Sequence, residues 1–252
     1  MSQRSSVEYG WLESVSREGF AVIEGVVSAD VVAELISLTR GYLAGGIAGV
    51  LERGDEAYAM RDLLWRSPQI QQLAASPELM QITRAVLGPG AFAVRGLFFD
   101  KTPSTNWNLP WHQDLTLAVQ ARRNVPEFGP WTLKAGIPHV IAPASLLERM
   151  VTIRLHLDDC KSHSGPMRVL PGSHRDGKLD SANFATLTSC AKERAVDCLV
   201  GAGGLVVMRP LLVHASSSGT GPGHRRVIHL EYAAEPLPDG LEWYSADRSP
   251  GI

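Results

Sequence analysis

His112 and Asp114 form the strongest chemical signal in this chain of 252 residues. They interrupt residues 107–119, an otherwise apolar stretch whose composition predicts a buried strand. Side chains at positions i and i+2 of a strand project from the same face, so the imidazole and the carboxylate should converge. Converging polar groups in an apolar interior need a metal ion or hydrogen bonds. If His214 joins them, they form the two-histidine, one-carboxylate set of non-haem Fe(II) oxygenases, which leaves three coordination positions open.

The composition is typical of a globular protein with a sizeable core, and it excludes several classes of function. Hydrophobic residues make up 44% of the chain, and the net charge is −2 from 24 basic and 26 acidic residues. No global field therefore favours nucleic acid or an anionic membrane as a partner. The three cysteines follow no zinc spacing and fit a reducing compartment. With no apolar run near ~18 residues and no signal-peptide core, we expect a cytoplasmic protein.

The order of predicted elements favours a mainly β fold with helices at its N-terminal end. In residues 1–90 apolar residues recur at helical spacing, and Ser28 and Ser76 stand at predicted helix N-caps. In residues 91–233 the period changes, and short strands alternate with turns. This order predicts a closed or sandwiched β unit with the helices packed outside it. No linker or repeat divides the sequence, so residues 1–252 are predicted to form a single domain.

Residues 120–148 are an exception within the predicted β region. They are rich in proline and glycine and include Trp131. Long loops without secondary structure are usually functional or disordered when they occur in compact domains. The apolar and aromatic content of this segment favours a lid over the site. Trp107, Trp111 and Trp131 suggest an aromatic-lined pocket in which Trp131 contacts substrate, and the alternative is that they pack in the core, as tryptophans more often do.

A His-x-Asp motif by itself is not specific, because hydrogen-bonded His–Asp pairs occur in proteins of every class. An ordered set of four pieces is far more specific: His112-Gln-Asp114, Pro171-Gly-Ser-His174, His214-Ala-Ser216 and Arg225. In this order and spacing the sequence resembles the phytanoyl-CoA dioxygenase-like family of Fe(II)- and 2-oxoglutarate-dependent oxygenases. The resemblance extends from the strand at residues 19–25 to the strand of Arg225. One turn departs from the family pattern, because Ser164 stands where asparagine is usual.

The resemblance implies a double-stranded β-helix core, the jelly-roll of cupin-like proteins. It implies that His112, Asp114 and His214 bind Fe(II). Arg225 would pair with the distal carboxylate of the co-substrate 2-oxoglutarate, assisted by the hydroxyl of Ser216. A guanidinium suits this role because its fork of donors fits a carboxylate bidentately.

The reaction implied by the resemblance uses O2 to hydroxylate an unactivated C–H bond and releases succinate and CO2. The presence of Asp114 favours hydroxylation, because related halogenases lack this carboxylate so that halide can bind iron. Desaturation, epoxidation and ring closure also begin with removal of a hydrogen atom, so the sequence leaves them open.

Arg226 and Arg154 have competing interpretations. Arg226 is adjacent to Arg225 and would face the opposite way on a strand, and the eleven-residue spacing from the distal histidine favours Arg225. Arg154 would either touch 2-oxoglutarate or an anionic substrate, or pair with a surface carboxylate such as Asp158.

Asn106 and Arg61 are weaker candidates. Asn106 would either donate to 2-oxoglutarate or cap its own turn. Arg61 would either reach the substrate from the N-terminal region or be a solvated helix-face arginine, which is the more common case.

The main alternative is a non-catalytic jelly-roll protein that binds a metal or 2-oxoglutarate. Arg225 with Ser216 argues against it, because a plain metal-binding barrel needs no interior arginine at that spacing. A purely structural His–Asp pair would leave the remaining matches to coincidence. One fold hosts many chemistries, so the substrate is predicted only as a small metabolite or natural-product intermediate, and the oligomeric state is not indicated.

Overall fold

The computed structural model describes residues 4–46 and 49–244, so the ends of the predicted domain, residues 1–3 and 245–252, lie outside the described residues. In this part of the chain the helices are α1 (Arg4–Arg17), α2 (Ala29–Ala44), α3 (Leu63–Arg66), α4 (Pro68–Ala74), α5 (Pro77–Leu87), α6 (Ala144–Leu147), α7 (Ser181–Ser189) and α8 (Ala191–Arg194). The strands are β1 (Phe20–Ile23), β2 (Val50–Arg53), β3 (Glu56–Met60), β4 (Phe92–Lys101), β5 (Leu109–His112), β6 (Thr116–Ala118), β7 (Trp131–Lys134), β8 (Ile137–Ile141), β9 (Met150–His156), β10 (Met167–Val169), β11 (Val196–Cys198), β12 (Leu205–Met208), β13 (His214–Ser216) and β14 (Arg225–Ala233). No helix among the described residues is long and apolar enough to cross a membrane.

These strands form three antiparallel sheets. The largest has the order β1-β12-β9-β14-β4-β3-β2, the second β11-β10-β13-β5 and the third β6-β8-β7. The second sheet packs against the first through a buried apolar cluster that joins Met167 and Val169 of β10 to Val206 and Met208 of β12. The mainly β architecture with N-terminal helices therefore agrees with the sequence prediction.

Alternation along β9 and β14 separates the hydrophobic core from the site. Ile153 of β9 and Ile228 of β14 are fully buried in the cluster that the N-terminal helices cover. Arg154 and His229 follow these isoleucines directly, and successive side chains of a strand point to opposite faces. The polar side chains of both strands are thereby directed toward the space between the two large sheets.

Serine caps fix the start of two helices that cover the large sheet. Ser28 accepts a hydrogen bond from the backbone N–H of Val31 at the start of α2, and Ser76 accepts one from Leu79 at the start of α5. Such caps satisfy N–H groups that have no partner within the helix. Both N-caps were predicted from the sequence and are confirmed.

Two hairpins differ from the sequence prediction. The β2–β3 hairpin lies within the mostly helical residues 1–90 and extends the large sheet beyond β4. The β7–β8 hairpin occupies the middle of residues 120–148, where the prediction of a loop without secondary structure was wrong. Its turn places Ala135 and Gly136 at φ of 51° and 77°. Two positive φ angles define the type I′ hairpin turn, which usually has asparagine or aspartate at the position that alanine occupies here.

Candidate active site

The two histidines of the predicted metal set face each other across two paired strands. His214 of β13 lies opposite His112 of β5, and their ring centroids are 4.1 Å apart. Asp114 lies between the end of β5 and the start of β6, so the predicted continuous strand is interrupted there. Its backbone N–H donates to the carbonyl of Pro210 at 2.9 Å, which fixes this irregular segment. The Asp114 oxygens lie 3.8 Å and 3.6 Å from Nε2 of the two histidines.

Backbone carbonyls orient both imidazoles. Nδ1 of His112 lies 2.8 Å from the carbonyl oxygen of Pro110, and Nδ1 of His214 lies 2.9 Å from that of Leu212. A carbonyl oxygen only accepts, so Nδ1 must carry the proton in each ring, and Nε2 directs its lone pair toward Asp114. Burial lowers the pKa of His214 to about 4, which keeps this imidazole neutral and able to bind a metal.

The carboxylate of Asp114 lacks a partner for one of its oxygens. Oδ2 is buried and accepts no hydrogen bond in the structure. Burial raises the pKa of this carboxyl, but His214, His229 and His112 together outweigh it and lower the pKa to about 2. An ionised carboxylate oxygen therefore faces two imidazole lone pairs, and the ligand atoms of the three residues lie within 4.8 Å of one another. This arrangement fits a divalent metal ion and matches the ligand types of the Fe(II) facial triad.

Gln113 lies between the two ligand positions in the sequence, and its side chain holds residues 112–114 in place through hydrogen bonds. Its side-chain N–H groups donate to the carbonyls of Gly177 at 2.8 Å and Leu211 at 2.7 Å. Its carbonyl oxygen accepts from the backbone N–H of Leu179 at 3.0 Å. Both the nitrogen and the oxygen of the amide are thus hydrogen-bonded. These bonds connect residues 112–114 to the chain before α7 and to the segment before β13. This role of Gln113 was not predicted from the sequence.

A cavity of about 510 Å³ opens beside these residues, which is within the usual size range for small-molecule sites. Its lining includes seven of the nine residues that the sequence predicted for the site: His112, Asp114, His214, Arg225, Ser216, Arg154 and Arg61. Asn106 and Trp131 are absent from the lining.

Arg225 is buried at one end of the cavity. Its guanidinium donates to the carbonyl of Gly165, and its Nε atom is buried without a hydrogen-bond partner. A Cβ atom at Gly165 would lie 2.5 Å from the carbonyl oxygen of Ser217, so only glycine allows this close approach. Arg226 points away from the cavity and forms a two-point ion pair with Asp158. The structure thus separates the two adjacent arginines as the strand alternation predicted.

Lys101 adds a second cation at this end. Its Nζ donates to Ser216 Oγ at 3.3 Å and to the carbonyl of Ser217 at 2.7 Å, and it lies 5.0 Å from the centroid of the Trp107 ring. Because the lysine occupies Ser216 Oγ as an acceptor, the serine hydroxyl proton is available to another group. Burial, with Arg225 nearby, lowers the pKa of Lys101 to about 7.

Residues 15–227 match the family model described as phytanoyl-CoA dioxygenase (PhyH). The chain belongs to the phytanoyl-CoA dioxygenase family. Within this family it is 26% identical over 165 residues to the ectoine dioxygenase of Sphingopyxis alaskensis. The matched region covers 63% of this chain and 47% of that relative, so it spans about half of the relative's length.

Solved structures give the same fold. EctD from S. alaskensis with 2-oxoglutarate and 5-hydroxyectoine has a TM-score of 0.70 at 21% identity, over 100% of this chain and 86% of that chain. The epimerase SnoN from nogalamycin biosynthesis, in complex with Fe3+, alpha ketoglutarate and nogalamycin RO, has a TM-score of 0.69 at 17% identity, over 94% and 92% of the two chains. These similarities confirm the predicted cupin-like jelly-roll core.

A hydrogen-bonded ladder crosses the cavity wall of this phytanoyl-CoA dioxygenase family member. Arg154 Nη1 donates to Nδ1 of His229 at 2.9 Å, so Nδ1 is unprotonated and Nε2 carries the proton. Nε2 then donates to Oε1 of Glu231 at 3.3 Å, which also accepts from Arg95 at 2.9 Å. Arg154 therefore faces the cavity and does not pair with Asp158, which was its competing interpretation.

Asn106 has a structural role in place of the predicted contact with 2-oxoglutarate. Its Nδ2 donates to the carbonyl of Gly219 at 2.7 Å, and its Oδ1 accepts from the N–H of the same residue at 2.9 Å. Both ends of the amide are thus bound to the loop between β13 and β14. Trp107, the next residue, lines the cavity instead.

Trp131 lies away from the cavity, contrary to the prediction of a substrate contact. It packs against a separate hydrophobic cluster beneath the third sheet, and the guanidinium of Arg122 lies 5.7 Å from its ring centroid. The hairpin that carries Trp131 reaches the cavity through Lys134, the last residue of β7. The predicted lid segment therefore contributes a cation to the site, and its tryptophan serves packing.

Proposed function

We propose that this protein is a non-haem Fe(II)- and 2-oxoglutarate-dependent oxygenase that hydroxylates an unactivated C–H bond of a small metabolite or natural-product intermediate, with release of succinate and CO2. One observation carries the proposal. The cavity joins a converging His–Asp–His set to a buried arginine that has an unsatisfied Nε donor. A metal-binding barrel without a dicarboxylate co-substrate has no use for the second feature.

In this proposal His112, Asp114 and His214 hold Fe(II), which activates O2 when it is bound. Arg225 binds the distal carboxylate of 2-oxoglutarate, and the Ser216 hydroxyl donates to the same group. Lys101 supports both through its contact with Ser216 and through its positive charge. A guanidinium fork and an ammonium suit a carboxylate, since charge-assisted hydrogen bonds are about twice as strong as neutral ones.

The other residues position these groups. Arg154 faces the cavity with an unsatisfied Nε atom and is proposed to contact the co-substrate. Its donation fixes the His229 tautomer, with Nδ1 as the acceptor and Nε2 directed to Glu231. Gln113 holds the ligand segment, and Phe99, Leu97 and other apolar side chains keep the cavity wall dry.

The alternative of a non-catalytic metal- or 2-oxoglutarate-binding protein has no observation in its favour. The matched relative is a dioxygenase, and the solved structures include 2-oxoglutarate and an iron ion. The product named in one of them, 5-hydroxyectoine, belongs to that protein, and for this chain the proposed substrate is only a small molecule.

The test is anaerobic visible spectroscopy of the metal-free protein after addition of Fe(II) and then 2-oxoglutarate. We expect a metal-to-ligand charge-transfer band that is absent in His214→Ala and strongly weakened in Arg225→Gln. Arg226→Gln is the matched control, because the neighbouring arginine points away from the cavity to Asp158. Metal binding without such a band in the native protein would contradict the oxygenase and favour the binding protein.

A further inference from the structure

A second group of cations lines the cavity at the end away from Arg225. It consists of Arg61 after β3, Arg95 on β4 and Lys134 at the tip of the β7–β8 hairpin. Arg95 lies opposite Glu231 of β14, six residues from Arg225, which separates the two backbone positions by about 20 Å. The cavity therefore has two cationic ends that belong to different parts of the sheet.

Only one of these three cations, Arg95, forms an ion pair with a carboxylate among the described side chains. Arg95 forms an ion pair with Glu231, with Nη1 2.9 Å from Oε1. Among the side chains that the structure describes, those of residues 10–46 and 49–244, no carboxylate forms an ion pair with Arg61 or Lys134, and Lys134 makes one long contact, 3.4 Å to Thr116 Oγ1. Burial and the proximity of Arg95 lower the pKa of both Arg61 and Lys134. This end of the cavity thus carries an excess of partly buried positive charge.

Partly buried cations without a counter-charge are costly, and a ligand anion removes that cost. The co-substrate cannot supply the anion here, because 2-oxoglutarate is a short diacid whose distal carboxylate is assigned to Arg225. The apolar side chains of Leu97 and Phe99 line the cavity and lie on β4 between Arg95 at one end and Lys101 at the other. A molecule with an apolar body and a terminal anionic group matches this lining.

We infer that the primary substrate is a small acid whose carboxylate or phosphate group is bound by Arg61 and Lys134 and whose apolar part extends toward the metal-binding residues. The inference rests on the proposed function and adds the chemical class of the substrate. Arg61 supplies a bidentate donor, and Lys134 supplies a charge from a hairpin tip. Arg95 is held in place by Glu231 and contributes mainly to the local field.

The test measures equilibrium binding of matched probes to the anaerobic protein loaded with Fe(II) and 2-oxoglutarate. The probes are 3-phenylpropanoate and octanoate, each against its own primary amide, and inorganic phosphate. We expect at least one acid to bind about tenfold or more tightly than its amide. Arg61→Gln and, independently, Lys134→Met should remove most of this preference, and Arg61→Lys should restore part of it. Arg84→Gln, an exposed arginine on α5, is the control for the same loss of charge.

The charge-transfer band of the same samples separates the two proposals. If the band forms but no acid binds more tightly than its amide and phosphate does not bind, the substrate class is overturned and the oxygenase stands. If Arg61→Gln and Lys134→Met weaken 2-oxoglutarate as much as the acid probes, the cations serve the co-substrate and the inference is also overturned. If the native protein forms no band, the proposed function itself fails. Selective loss of acid binding with an unchanged band supports the inference.

Discussion

Lys101 and Arg225 lie directly opposite each other on β4 and β14, and both are buried. Like charges at facing positions of an antiparallel pair destabilise a sheet. No carboxylate within the described part of the chain forms an ion pair with either residue. The pair therefore stores an unfavourable interaction that a bound carboxylate would relieve, and in the proposed site this would give 2-oxoglutarate a source of binding energy beyond a single arginine.

This relationship predicts that 2-oxoglutarate affinity depends on pH through Lys101. The pKa of Lys101 is lowered to about 7, so the lysine is largely charged below this pH and loses its proton above it. A bound carboxylate favours the charged form of Lys101. Above about pH 7, 2-oxoglutarate binding is therefore coupled to protonation of Lys101. We expect the dissociation constant to rise up to about tenfold per pH unit above about pH 7. Anaerobic titrations across this range measure it.

Lys101→Met should flatten this dependence and weaken binding below pH 7, where the native lysine is charged. Lys134→Met is the control, because that lysine belongs to the other end of the cavity and should leave the slope in place. An unchanged slope in Lys101→Met would show that another group titrates.

Asp114→Asn should remove the stabilisation of the protein by metal. The substitution replaces the carboxylate of the proposed metal set, whose Oδ2 accepts no hydrogen bond, with an amide. A metal at about 100 times its dissociation constant stabilises a native protein by about 2.7 kcal/mol. We expect thermal unfolding to show this gain in the native protein and to show none in the variant. Asp55→Asn, at an exposed turn position, is the control. A variant that gains as much stability from metal as the native protein would show that this carboxylate is not a metal ligand.

Gln113→Leu should weaken both the fold and the metal centre. It leaves two carbonyls and one N–H without partners, and each buried unsatisfied group costs about 1–3 kcal/mol. Loss of such support also lowers metal affinity about 10–100-fold. Denaturant unfolding and competition with a chelator measure the two effects, with Gln72→Leu on the exposed face of α4 as the control. Lower stability with native metal affinity would restrict Gln113 to a scaffold role.

Asn106→Leu should loosen the loop between β13 and β14 and affect the co-substrate only modestly. The N–H of Gly219 donates to Asn106 Oδ1, so its hydrogen exchange should become faster. We expect 2-oxoglutarate binding to fall far less than in Arg225→Gln. Equal losses of affinity in the two variants, with unchanged exchange at Gly219, would restore the direct contact that the sequence suggested.

The metal set was accessible from sequence because its members are recognised by local spacing and order. His112 and Asp114 are two residues apart, and strand alternation together with the spacing from His214 distinguished Arg225 from Arg226. The sequence could not predict that Lys101 lies opposite Arg225, because this depends on the register between strands more than a hundred residues apart. Register is set by the whole hydrophobic pattern and by turn geometry, and a single sequence does not specify it.

The missed hairpins have a similar explanation. In β7–β8 the turn has alanine at a positive φ, so the usual asparagine–glycine or aspartate–glycine signal is missing, and Lys134 could not be placed at a hairpin tip. Asn106 was assigned by its position just before the metal strand, and Trp131 by its residue type within the predicted lid. Their actual partners, a glycine backbone in one case and a hydrophobic cluster in the other, are created only by the folded chain.

The N-terminal ninety residues supply both outer strands of the seven-stranded sheet, β1 at one side and β2 at the other. Without these residues, β12 and β4 would become the edge strands of the sheet, and the backbone N–H and C=O groups on their outer sides would have no strand to pair with. Open edges of this kind invite pairing with another molecule. A chain that began at residue 91 would retain every metal ligand, yet we expect it to self-associate into insoluble material rather than fold as a smaller enzyme.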